Sequence, residues 1–152
     1  MPHFGLMDSK KMKRDQAALY RAKLHIRGGK RQISQGKIAA GIIALHDALI
    51  SALYSYFMSP PLEEALNQED YNIYNNDDRI LFLILKRSGI VDDTFDEDDF
   101  SYLSSMLDQA LEGQLKSFDQ DCYLEKYDNL LEQLGVLPFP EDELPSEDPT
   151  NF

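Results

Sequence analysis

The chain has one cysteine, Cys122, and two valines, Val91 and Val136. A single cysteine excludes an internal disulfide, and with no histidine near it in sequence Cys122 reads as a small residue on a helix face. Scarce valine goes with the absence of any alternating β-branched run, so nothing predicts a strand. No phosphate-cradling loop is present, because Gly28-Gly29 and Gly36 are isolated and no strand precedes them. No His/Cys cluster has metal-ligand spacing, and no serine has the context of a triad. The first residues, MPHFGLMDSKKMKRD, lack a continuous apolar region and a cleavage site. These absences predict a protein of the cytoplasm with neither metal nor cofactor.

What the chain does have is helical periodicity. Its 152 residues suit one domain, and 43% hydrophobic residues suffice for a core without staples. Leu19, Ala22 and Ile26 share a face of a first helix capped at Asp8 or Ser9 and ended at Gly28-Gly29. A second helix runs from about Ser34 to Met58, stopped by Ser59-Pro60-Pro61. Its bulky face holds Ala39, Ile42, His46, Ile50, Leu53 and Phe57. Its small face holds Gly41, Ala44, Ala48, Ser51 and Ser55, which lets another backbone approach and predicts a central helix. The span Ile38 to Met58 is apolar enough to raise a membrane question. An Asp at a bilayer centre costs about 2.5–3.5 kcal/mol, and His46-Asp47 sits at the centre of this span, so a core helix is expected.

A connection over residues 60–76 follows, with a short helix at Leu62 to Asn67. A third helix starts at Asp77 or Asp78 and ends at Gly89. Its all-round apolar run, Ile80 to Leu85, predicts deep burial. A fourth spans Asp96 to Phe118, with Asp96 to Asp99 at its positive end. A fifth spans Gln120 to Leu134 with Leu124, Tyr127, Leu130, Leu131 and Leu134 inward, stopped by Gly135 and Pro138. The expected fold is an all-α, antiparallel up-and-down bundle of four to five helices over residues 1–137. Residues 138–152 form an acidic, proline-rich tail, mobile unless Leu137 and Phe139 pack. A short acidic docking peptide is its functional alternative.

Charge is the least even feature. Residues 1–37 carry a net +8 and the rest −20, for a total of −12. The basic segment serves a polyanion, or it lies against acidic groups of its own fold or of a partner subunit. Total charge opposes phosphate binding, so no tight nucleic-acid complex is expected at physiological salt.

Few residues invite chemistry. His46 lies amid bulky apolar neighbours, where a neutral core histidine bonded to a carbonyl or a tyrosine is the first reading and a tuned base the alternative. Arg21 and His25 stand four apart on one helix face, an arrangement that holds a phosphate beside a proton carrier. Asp92, Asp93, Asp96, Glu97, Asp98 and Asp99 form a dense acidic run without the spacing or glycine of a calcium loop. Tyr54, Tyr56, Tyr71 and Tyr74 suit base stacking but follow the basic segment at a distance. The small face, Gly41, Ala44, Ala48 and Ser51, is the expected interface of a homodimer.

The stretch ALYRAKLHIRGGKRQISQGKIAAGIIALHDALISALYSYF resembles the first helical hairpin of HEPN domains (higher eukaryotes and prokaryotes nucleotide-binding). RILFLILKRSGIVDDTFDEDDFSYLSSMLDQAL looks like the family's later helices, so the resemblance covers roughly residues 15–134. Catalytic members, metal-independent ribonucleases, carry an Arg, four to six residues, then a His. Here Arg21 and His25 enclose only three residues on the first helix, and no histidine follows His46. The ribonuclease function is therefore not carried over. What the resemblance implies is a non-catalytic member that self-associates and pairs with a nucleotidyltransferase, as in a prokaryotic toxin–antitoxin-like system. A nucleotide- or RNA-processing enzyme using His46 or Arg21 and His25 is one alternative. An oligomeric scaffold without nucleic acid is the other.

Overall fold

A computed structural model describes residues 14–58, 78–115 and 117–145. Among these the protein is all-α, with no strand. In chain order the helices are α1 (Arg14–Ser34), α2 (Ile38–Met58), α3 (Asp78–Arg87), α4 (Glu97–Glu112) and α5 (Gln120–Gln133), followed by a 3₁₀ turn at Glu141–Glu143. The expected caps at Asp8 or Ser9 and the short helix at Leu62 to Asn67 lie outside the described residues.

α1 and α2 form a hairpin joined by Gln35, Gly36 and Lys37. The expected break at Gly28-Gly29 does not occur, because α1 runs through both glycines to Ser34. Each glycine inside a helix costs about 0.5–1 kcal/mol against alanine, and here tertiary packing overrides that cost. Gly29 faces Gly41 of α2, and a Cβ on Gly41 would lie 2.4 Å from Ile33 Cγ1. The stop comes at Gly36, at φ +82°. There the Lys37 N–H donates to the Gln32 carbonyl and the Gly36 N–H to the Ile33 carbonyl, the paired bonds that close a helix C-terminus. Ser34, expected to cap α2, is instead the last residue of α1, its hydroxyl donating to the Arg31 carbonyl.

α2 packs against α1, α3 and α4, which makes it the central helix. Ile42, Leu45, Ala48, Leu49, Ala52 and Leu53 are fully buried on it. Burying each of its large apolar side chains contributes about 1.5–3 kcal/mol. Ile38–Ser55 is long and apolar enough to cross a membrane by length and composition, yet 56% of it is buried inside the chain, as in a core helix.

Opposite α2, Phe82 of α3 stacks on Phe100 of α4 at 4.5 Å between centroids and meets the edge of Phe95 at 5.6 Å. α3 buries one face only, through Leu81, Phe82 and Leu85, whereas Ile80 is 49% exposed. Leu83 and Ile84 on its flanks are half-buried, so the expected all-round burial is not met. α4 begins with a capping box between Asp96 and Asp99 and ends at Gly113 in the left-handed region, short of the expected Phe118. Leu111, in its last turn, is 61% exposed. α5 buries Tyr123 as well as Tyr127, and the Tyr127 hydroxyl donates to the Leu45 carbonyl at 2.6 Å.

Candidate functional site

The outer side of the hairpin carries a groove of about 270 Å³. α1 lines it with His25, Gly28, Arg31 and Gln32, and α2 with Ala40, Ile43, Ala44 and Asp47. It exists because the hairpin closes tightly at Gly29 and Gly41, where small residues face across the seam. The wider side chains then form walls around an alanine floor. Nδ1 of His25 lies 3.9 Å from the Asp47 carboxylate at one end. Arg21 is exposed and does not line the groove, so the arginine that shares it with His25 is Arg31. Of the small face, Ala44 lines the groove, Ser51 is half-buried, and Gly41 and Ala48 face the chain's own interior.

His46 is buried, at 2% exposure. Its partner is neither a carbonyl nor a tyrosine. Nε2 donates to Asp78 Oδ2 at 2.9 Å, tying α2 to the first residue of α3. The hydrogen bond from His46 holds the Asp78 carboxyl below its ordinary value, against the opposing effect of burial. Nδ1 of His46 has no partner among the described residues. Asp78 also influences Tyr54, whose phenol is pushed up first by burial and then by that carboxylate. Adjacent Asp47 points elsewhere, as successive helix residues diverge by roughly 100°. The pair spans two helices, so local spacing does not reveal it, although Asp78 is legible as a helix start.

No family model, curated protein or solved structure matches this chain. Function must therefore be read from the surfaces themselves.

The basic segment answers the charge question in part. Lys23, Arg27 and Lys30 recur at spacings of four and three, on one face of α1. Lys23 Nζ pairs with Glu143 at 2.6 Å, Arg27 donates to the Pro145 carbonyl at 2.6 Å, and Lys30 pairs with Asp128 of α5 at 2.9 Å. Described residues of the tail, 138–145, thus lie against α1, with Leu144 buried at 5% exposure.

The acidic run is absorbed by local structure. Asp92 accepts from the Thr94 amide and hydroxyl, and those bonds hold its carboxyl below the ordinary value. Asp96 and Asp99 cap α4, Asp99 also pairs with Lys126, and Asp93 approaches Lys86 at 3.8 Å. Among the described residues no three His, Cys, Asp or Glu side chains gather to hold a metal ion. Cys122, half-buried, lines an open cleft of about 580 Å³ with Thr94, Lys126 and Asn129. Tyr54 is half-buried, while the Tyr56 side chain, Tyr71 and Tyr74 lie outside the described residues.

Proposed function

We propose that the chain is a non-enzymatic helical association module that works as a homodimer through the outer groove of the α1–α2 hairpin. The observation that carries this reading is the groove itself: a concave, largely apolar strip between two helices, with Ala40, Ile43 and Ala44 of α2 along it. Its walls differ in sign, with Arg31 on α1 and Asp47 on α2. A two-fold contact presents the same patch on both copies, so the basic wall of one meets the acidic wall of the other. A contact of ordinary size covers about 800 Å² per partner, so the groove forms its centre and flanking residues its rim. Ala40 is exposed, so Ala40→Glu leaves the core intact while placing a charge in the apolar centre. Sedimentation of wild type and Ala40→Glu tests the reading: a dimer that the substitution dissociates supports it.

The resemblance to non-catalytic HEPN members supports a nucleotidyltransferase as the further partner. Co-expression with the product of a neighbouring reading frame of that class, followed by size-exclusion chromatography, tests this. One observation favours a second reading, an enzyme with His25 as base: His25, Asp47 and Arg31 share a single groove. On that reading the wild type processes RNA or nucleotides and His25→Gln abolishes it, whereas a wild type with no such activity speaks against it.

A further inference from the structure

The last described residues of the chain lie on α1 as a peptide lies on a receptor. Lys23 Nζ is 2.6 Å from the Glu143 carboxylate and stands over the Phe139 ring, 5.9 Å from its centroid. Arg27 reads a main-chain oxygen, the Pro145 carbonyl, at 2.6 Å. Leu144 between them is buried. Two α1 side chains thus meet one carboxylate, one backbone carbonyl and one aromatic ring within seven residues, FPEDELP, which also carry the buried Leu144. Pro140 and Pro145 flank the 3₁₀ turn at Glu141–Glu143 and restrict its backbone, which lowers the entropy cost of docking.

We propose that this face of α1 is a binding surface for an acidic, proline-flanked peptide of a partner protein, and that the chain's own residues 139–145 are the resident ligand a partner must displace. The observations favour a peptide over a nucleic acid. A phosphodiester strand satisfies Lys23 but offers nothing for the buried leucine position. A tethered segment competes at an effective concentration of about millimolar, so a free peptide binds wild type weakly until the resident segment lets go. Segments 138–152 carry five acidic residues and no basic one, which matches the stripe of Lys23, Arg27 and Lys30.

The test uses the full chain and a fluorescein-labelled peptide, PFPEDELPS. Anisotropy titrations compare wild type with the double variant Glu143→Lys/Leu144→Asp, which unseats the resident segment and leaves α1 untouched. The proposal expects the double variant to bind the peptide at least about 10-fold more tightly than wild type. Adding Lys23→Glu should remove that gain. Equal affinity of wild type and double variant overturns it. So does a released surface that prefers a labelled RNA oligonucleotide to the peptide. If the double variant fails to fold, hydrogen exchange on wild type decides. Faster exchange over 139–145 at saturating peptide supports displacement, and unchanged exchange there overturns it.

Discussion

Gly29 of α1 and Gly41 of α2 stand face to face: a Cβ on Gly41 would lie 2.8 Å from the Gly29 carbonyl oxygen, and one on Gly29 3.0 Å from the Gly41 oxygen. Backbone lies on both sides of that approach, so neither helix can accommodate a side chain without separating. Gly41→Ala should therefore cost about 1–3 kcal/mol, the ordinary cost of overpacking. Gly28 meets only Arg31 Nη2, at 3.8 Å. Gly28→Ala should stabilise by about 0.4–1 kcal/mol through the unfolded chain. Chemical denaturation midpoints of the two variants should move in opposite directions.

Two buried tyrosines should also respond oppositely. The Tyr127 hydroxyl donates to the Leu45 carbonyl, whereas the Tyr123 hydroxyl is buried without a partner among the described residues. Tyr127→Phe removes a buried bond, while the Leu45 carbonyl keeps its helical partner, at about 0.5–1.5 kcal/mol. Tyr123→Phe removes an unsatisfied group and should be neutral or stabilising. A thermal unfolding comparison separates them.

The His46–Asp78 pair makes a pH-dependent contribution. Because His46 holds the Asp78 carboxyl below 3.8, the unfolded chain takes up that proton more readily than the folded one. The stabilisation is present above about pH 4 and is lost as pH falls through the folded value. Asp78→Asn should flatten the acid limb of stability against pH. A double-mutant cycle of His46→Leu and Asp78→Ala should give a coupling of about 0.5–3 kcal/mol. His46→Leu alone should cost less than Asp78→Ala, since it also removes the orphaned Nδ1.

Helix identity was legible in the sequence wherever periodicity and caps agreed. α3, α5 and the start of α4 fall within a residue or two of their expected bounds, because Asp78, Asp96, Gly89 and Gly135 are strong local signals. α1 was misread at Gly28-Gly29 because glycine marks a helix end and a close helix crossing alike. Only the partner residues Gly41 and Leu45 distinguish the two, and they lie on another helix. The site was less legible for the same reason. His46 was visible as an anomaly, but Asp78 lies 32 positions away. Spacing along the chain pairs Arg21 with His25, yet the groove is formed between helices, where Arg31 and Asp47 converge with His25. The tail's composition predicts mobility unless Leu137 and Phe139 pack, and both do pack against the core, with Leu144 buried as well.

Association through the hairpin groove is tested most directly by sedimentation equilibrium of the full chain at tens of micromolar. Wild type should sediment at twice the 17.4 kDa chain mass. Ala40→Glu should sediment as a monomer, with helix content by circular dichroism unchanged. A wild-type monomer, or a dimer that Ala40→Glu leaves intact, contradicts the account.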